Sequence, residues 1–331
     1  VKQLIINADD LGICESANHA IQRSFTDGVL TSASLMAIGP AFDHAVATVV
    51  NPFPDLGIGL HVCLTSGRCL TPPNKIGQLA DENGRLRVGF AGLCRLAMTN
   101  DGRIQIEREL DAQFQHIVDA GLVIDHVNSH RHVHMIPGIF SILARLATKY
   151  GCPAIRVSDE RIRRRANLFS PSRMITTLSN APKQMILGMF ATRARKHGHS
   201  LLTCDRTFGI LGSGKMNLAA MSAVVTATTV GTYEVITHPG ELVNALNDEL
   251  SQGDRRFWNS SFRNQELQAL LDPRFKAWME INHVQPARYA DIACLASNRK
   301  VCPLSEQQGS DENAPQVDCG ASAKTGNHKH N

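Results

Sequence analysis

Residues 3–12 read QLIINADDLG, and the fold is decided there. The apolar run Leu4-Ile5-Ile6 stops at Asn7 and delivers two adjacent acids, Asp9 and Asp10. A short run of β-formers closed by a polar cluster and a glycine reads as a buried strand ending in a loop. In parallel α/β sheets and barrels, reactive side chains sit at the C-terminal ends of strands, where loops vary while the strands hold them in place. An isolated Asp pair serves equally well as a turn former, or as a cap for a helix after Ser16. Recurrence of the same pattern downstream favours the first reading.

Working outward, residues 16–27 carry Ala17, Ala20, Ile21 and Phe25 at helical spacing and stop at Gly28, a helix with a glycine stop. A second strand is expected over 30–38 and a second helix over 41–50, ended by Asn51-Pro52. The third strand, 56–62 (LGIGLHV), places His61 near its C-terminal end. Its two glycines mark where backbone or ligand approaches closely. Periodicity then dissolves over 65–103, which reads as a partly ordered insertion over the strand ends; loops of this length in compact domains are usually functional. A helix over 104–120 leads to a fourth strand, 122–127, which runs into Asn128-Ser129-His130-Arg131-His132-Val133-His134. In an extended segment the three alternating histidines would share one face.

A helix over 139–150 and a fifth strand, 154–158, carrying Arg156 come next. Residues 160–200 break the pattern: from Arg161 to Lys196 there are nine basic residues and no acids, interleaved with apolar ones. That composition fits a solvated basic helical surface. It also fits a cationic amphipathic flap that meets an anionic membrane. Strands are expected over 201–210 and 232–238, the second ending in His238-Pro239-Gly240-Glu241, with an Ala-rich helix over 217–229 between them. Helices over 261–271 and 274–281 and a short strand over 289–295 close the pattern. From 305 to 331 no apolar stripe remains, the signature of a disordered tail.

The 331 residues, 43% hydrophobic and 19% charged, suffice for a full core and suit one large barrel-type domain as well as two small ones. A net charge of +4 is too small to call for a nucleic-acid partner. No run approaches the roughly 20 apolar residues needed to cross a bilayer. With the first strand beginning at Gln3, no secretory leader is expected. Nine cysteines, odd in number and without a C-x-x-C pair, argue against a zinc ribbon or a complete disulfide framework and fit a reducing, cytoplasmic setting. Motifs for nucleotide binding (G-x-x-x-x-G-K-[ST]), a serine nucleophile elbow (G-x-S-x-G) and a zincin (H-E-x-x-H) are absent.

Four strand ends thus offer Asp9 and Asp10, His61, the His130 cluster and His238. In a parallel barrel these ends lie around one rim. Two imidazoles and a carboxylate make a three-ligand set that leaves positions open for water, as in catalytic metal sites. Nitrogen ligands suit Zn²⁺, while one carboxylate with several waters would also suit Mg²⁺. A second carboxylate beside the metal can take a proton from bound water, and a histidine across the rim can protonate a leaving group.

NADDLG, GLHVCLT, DHVNSHRHVHM and a late THPGE, in this order, resemble the motif set of the YdjC family of carbohydrate deacetylases, over roughly residues 3–295. That family includes chitooligosaccharide deacetylases and hopanoid-biosynthesis-associated deacetylases. The resemblance implies an α/β fold, a TIM-like irregular (β/α) barrel, forming one deacetylase domain over 1–304 with insertions at 65–103 and 160–200. It implies metal-dependent hydrolysis of an N-acetyl group from an amino sugar, on an oligosaccharide or a glycolipid such as an N-acetylglucosaminyl hopanoid. By the same resemblance Asp10, His61 and His130 hold one divalent ion, Mg or Zn. Asp9 is the general base, and His238 the acid or transition-state stabiliser. His132 and His134 are expected either to orient His130 or to touch the substrate, and Arg156 is expected at the substrate. The family's usual Phe after the acid pair is Leu11 here. Other readings are a catalytically silent sugar-binding relative and a different metal hydrolase such as a phosphoesterase. The expected setting is cytoplasmic, with peripheral contact at the inner membrane face through 161–196, and with room for a homodimer.

Overall fold

β1 (Lys2–Leu11) is buried from Leu4 onward and lies in the middle of a parallel sheet. The structure is a computed structural model that describes residues 1–160, 171–196, 200–241 and 250–294. After β1 come α1 (Glu15–Thr26), β2 (Ser32–Leu35), α2 (Phe42–Ala45), β3 (Gly57–Val62), α3 (Phe90–Leu96), α4 (Asn100–Asp119), β4 (His126–Ser129) and α5 (Pro137–Lys149). The second half holds α6 (Pro171–Lys196), β5 (Arg206–Phe208), α7 (Leu218–Ala227), β6 (Gly231–Thr237), α8 (Gln252–Trp258), α9 (Phe262–Leu271), α10 (Pro273–Ile281) and β7 (Val284–Pro286).

The strand order is β4-β3-β2-β1-β6-β5, all parallel, with β7 beside the first residues of β1. Parallel bridges Val127↔Ile155 and Ala154↔Leu202 carry the pairing on from β4. Thr207 in β5 then bonds to Val157 and Asp159 carbonyls. The sheet therefore curls into an irregular barrel with helices outside it, as the family resemblance implies.

Alternation along β1 explains both faces. Leu4, Ile6 and Ala8 join one apolar layer with Ile21 of α1, Phe114 of α4, Phe140 of α5 and Leu270 of α9. Ile5 packs on the other face with Ala154, Cys204, Ala287 and Tyr289. Farther along that inner face come Asn7 and Asp9, so the barrel changes from apolar to polar towards the strand ends. Asn7 Nδ2 donates to Asp9 Oδ1 and Ser34 Oγ, and Ser34 bonds in turn with Asn128 and His126. The glycines of β3 make room for this interior: a Cβ on Gly59 would sit 2.2 Å from His126 Cε1.

Several boundaries move. The fourth strand runs over His126–Ser129 because its pairing with β3 spans Gly59↔His126 to Val62↔Ser129, which draws Asn128 and Ser129 into the sheet. Residues 289–294, expected as a strand, are helical; Asp291 accepts from the Arg288 backbone N–H at the start of the turn, and β7 takes the pairing place on β1 instead. The 65–103 insertion forms small antiparallel bridges and α3, and its Leu70 and Thr71 N–H groups are held by Glu109 of α4. Of the basic 160–200 stretch, α6 is described, whereas 161–170 and 197–199 lie outside the described residues, as does the 305–331 tail. The described cysteines are all free thiols.

Candidate metal centre

Each residue of the centre is placed by the end of a strand. Asp9 and Asp10 close β1, His61 lies one residue before the end of β3, and His130 and His238 follow β4 and β6 directly. Asp10 has φ +65°, a left-handed conformation that Asp tolerates, and this turn separates the two neighbouring carboxylates.

Asp10 Oδ1 is 3.0 Å from His61 Nε2 and 2.8 Å from His130 Nδ1. Two ring nitrogens thus converge on one carboxylate oxygen. Separations near 3 Å are also the edges expected of a polyhedron with bonds of about 2.1 Å. All three side chains are buried, and one donor atom from each lies within 4.8 Å of the others. The donor set of two nitrogens and one oxygen fits a divalent ion with coordination positions left for water.

The orientation of His61 is fixed from behind. Its Nδ1 lies 2.5 Å from Asn128 Oδ1, which identifies it as the protonated nitrogen and leaves Nε2 facing Asp10. Asn128 is anchored in turn by Nδ2 to Ser34 Oγ at 2.7 Å.

Asp9 is held differently. Arg156 donates Nη1 to Asp9 Oδ2 and Nη2 to Asp9 Oδ1, both at 2.8 Å, and places Nε and Nη2 on Glu234. Burial alone would raise the Asp9 pKa, but the Arg156 guanidinium outweighs it and keeps the carboxyl well below the usual range. Asp10 is likewise depressed, burial being outweighed by His130 and His61. Burial would lower the His130 pKa, but Asp10 and Asp254 raise it well above the ordinary value.

The H-x-H-x-H segment is not extended. It forms a tight turn over His130–Met135 with Arg131 and His132 at φ +56°, so the three rings do not share a face. His130 and His132 line a cavity of about 240 Å³ together with Asp9, Asp10, His61 and His238. His134 points away: Nδ1 meets Ser129 Oγ at 2.6 Å and Nε2 the Arg156 carbonyl at 3.1 Å. Burial and the nearby Arg156 charge push its pKa down to about 3, a neutral structural ring. His132 bonds through Nδ1 to Ser158 Oγ and is also held neutral, chiefly by burial and then by Lys183.

Arg156, expected at the substrate, is fully buried and does not line the cavity; it sits beneath Asp9. Lys183 of α6, which no motif singled out, does line it, and burial with the Arg131 charge brings its pKa down to about 8. His238 stacks edge-on against Phe257 and receives backbone support: its N–H donates to Glu266, and its carbonyl accepts from Arg263. The His238 Nδ1 atom is buried without a hydrogen-bond partner, and burial lowers the ring's pKa although Glu266 opposes the shift. Of the supporting residues, only Glu234 carries a signal in the sequence: an acid inside the apolar strand TYEVIT has to find a buried partner.

A polar rim cluster at the strand ends of an irregular parallel α/β barrel, with carboxylates and imidazoles converging on one cavity, defines the structural class. Within that class the chain belongs to the YdjC-like protein family, whose sequence profile matches residues 3–280. A carbohydrate deacetylase of Geobacillus stearothermophilus is 41% identical over 150 residues, 45% of this chain and 57% of that protein. A chitooligosaccharide deacetylase of Enterobacter sp. (strain 638) is 37% identical over 185 residues, 55% of this chain and 66% of the relative. The chain thus spans less than two thirds of the length of these relatives. A solved structure from Enterococcus faecalis V583, named for a proposed cleavage of cellobiose phosphate, matches with a TM-score of 0.62 at 20% identity. It covers 88% of this chain and 98% of that one, a likeness of fold.

Proposed function

We propose that this chain is a metal-dependent N-deacetylase that hydrolyses the acetamido group of an amino sugar to acetate and a free amine. The observation that carries the reading is the meeting of Asp9, Asp10, His61, His130 and His238 in one cavity. Relatives named as carbohydrate deacetylases agree with it.

Asp10, His61 and His130 would hold the ion. A bound divalent ion would polarise the acetyl carbonyl and acidify a water. Asp9, kept anionic by Arg156 and lining the same cavity, accepts the proton of the attacking water. His238 is neutral in the resting site, since burial disfavours its charged form. It therefore offers one N–H hydrogen bond to the oxygen or nitrogen on which charge develops, a stabilising role that needs no prior protonation, while the proton taken up by Asp9 passes to the departing nitrogen as the C–N bond breaks. His132 and Lys183 line the cavity beside this machinery and are the candidates to bind the sugar.

The described half of α6 supports peripheral contact with a lipid surface. Met185, Ile186 and Met189 are exposed on the helix, and Arg193 and Lys196 are exposed one to three turns on. This suits a glycolipid substrate, presented at an anionic bilayer. No described helix is long and apolar enough to cross a membrane.

The test is acetate release by chelator-stripped protein with Zn²⁺, Mg²⁺, Mn²⁺ or Co²⁺ restored. N-acetylglucosamine, diacetylchitobiose and an N-acetylglucosaminyl lipid in neutral or anionic vesicles would be offered. Metal-dependent release, reduced about 10²–10⁴-fold in Asp9→Asn, is expected. Faster turnover of the lipid in anionic vesicles would support the α6 contact. No release from any substrate, or release insensitive to metal and to Asp9→Asn, would overturn the reading.

A further inference from the structure

Asp254 belongs to none of the strand-end motifs, yet it touches the centre. It is 4% exposed, sits in the first turn of α8 and lines the same cavity as Asp9 and Asp10. His130 Nε2 lies 3.0 Å from its Oδ1, while His130 Nδ1 faces Asp10 Oδ1 at 2.8 Å. The other contacts of Asp254 come from protein donors: Arg131 Nη2 to Oδ1 at 2.7 Å and Ser251 Oγ to Oδ2 at 2.7 Å. Its own N–H donates to Ser251 Oγ, which caps the helix.

An imidazole with a carboxylate on each side has two states open to it. As imidazolium it donates to both. As neutral imidazole it donates to one and turns a lone pair toward the other, which is favourable only if a cation lies there. Asp254, whose Oδ1 faces Nε2 and already accepts from Arg131, keeps the proton of the neutral ring on Nε2. The lone pair is then on Nδ1, beside Asp10 Oδ1 and on the same side as His61 Nε2.

We propose that Asp254 is the positioning residue of the metal centre, fixing His130 so that Nδ1 is its donor atom. The assignment rests on the metal reading above and goes beyond it in naming the tautomer and the group that sets it. Such carboxylate support of a ligand histidine is worth about 10–100-fold in metal affinity. The neighbouring Arg131 is a separate latch. Its left-handed backbone swings the side chain round to the same carboxylate, tying α8 to the turn after β4.

The experiment compares wild type, Asp254→Ala, Asp254→Asn and Arg131→Met, all checked for folding by circular dichroism. Zn²⁺ affinity is read by competition with a chromophoric chelator, and coordination by the visible spectrum of the Co²⁺ form. Asp254→Ala is expected to bind 10–100-fold more weakly with an altered Co²⁺ spectrum. Asp254→Asn, which keeps shape and an acceptor oxygen but not charge, should lie between it and wild type. Arg131→Met should stay within a few-fold of wild type, since the latch is not the support. If Asp254→Ala does not fold, the isosteric Asp254→Asn decides by the same readouts. Wild-type affinity and spectrum in a folded Asp254 variant would overturn the assignment. A wild-type protein that binds no metal at all would instead remove the metal reading on which it rests.

Discussion

Between Asp9 and Glu234 stands a guanidinium with no access to water: Arg156 and Glu234 are each 0% exposed, and Asp9 is 3% exposed. Removing one partner of such a set leaves charges buried and uncompensated, which costs about 3–5 kcal/mol. Arg156→Met should therefore lower the unfolding free energy in urea by about that amount. Unchanged stability would show that the interior acids find other partners. The same pair sets an acid limit. The Asp9 pKa is lower in the folded chain than its ordinary 3.8, so the stability it contributes is fully present above that value. It is lost as pH falls from there through the folded pKa, and Asp9→Asn should flatten the decline. Asp9, Asp10, His61, His130 and His238 were legible because each stands at the end, or a few residues past the end, of an apolar strand run. The place of Arg156 was not, because its burial depends on two acids that are distant in sequence. Asp254 had no signal at all, since a helix from the other end of the chain brings it in.

Elements convert those placements into geometry. β3 approaches β4 closely enough for the His126 ring to occupy the space beside Gly59, and that ring cannot easily move. It stacks on Tyr289 at 4.3 Å and is bonded on its two sides to Ser34 and Asp125. Adding a methyl group there forces overpacking, with a typical cost of 1–3 kcal/mol. Gly59→Ala should lower the urea midpoint by the equivalent of about 2–3 kcal/mol, and wild-type stability would contradict the packing described. The glycines of LGIGLHV announced a close approach in the sequence; what approaches is a side chain of the barrel and not a ligand. The alternating histidines were harder to read. Alternation implies one shared face only if the backbone is extended, and the left-handed Arg131 and His132 break that premise. Turn chemistry of this kind lies in tertiary contacts, here those of Arg131 with α8 and of His132 with Ser158.

For the whole molecule, strand periodicity and helix stops sufficed for an alternating parallel α/β fold, because both faces of its strands are buried and the apolar runs are correspondingly plain, whereas the barrel was implied by the motif resemblance. Pairing between β4 and β5 was less legible: single bridges at Ala154, Ile155 and Leu202 replace a full ladder there. The polar interior ties the rim together, from Asn7 through Ser34 and Asn128 to His61, and from Asp9 through Arg156 to Glu234. The rim thereby gains rigidity, which catalysis by positioning requires.

An anomalous difference map from crystals of this protein soaked with Zn²⁺ tests the metal centre directly. One strong peak per chain is expected, bonded by the Asp10 carboxylate, His61 Nε2 and His130 Nδ1, with Asp9 beside it and unligated. A map without a peak at this rim, or with its peak held by other residues, would contradict the metal reading.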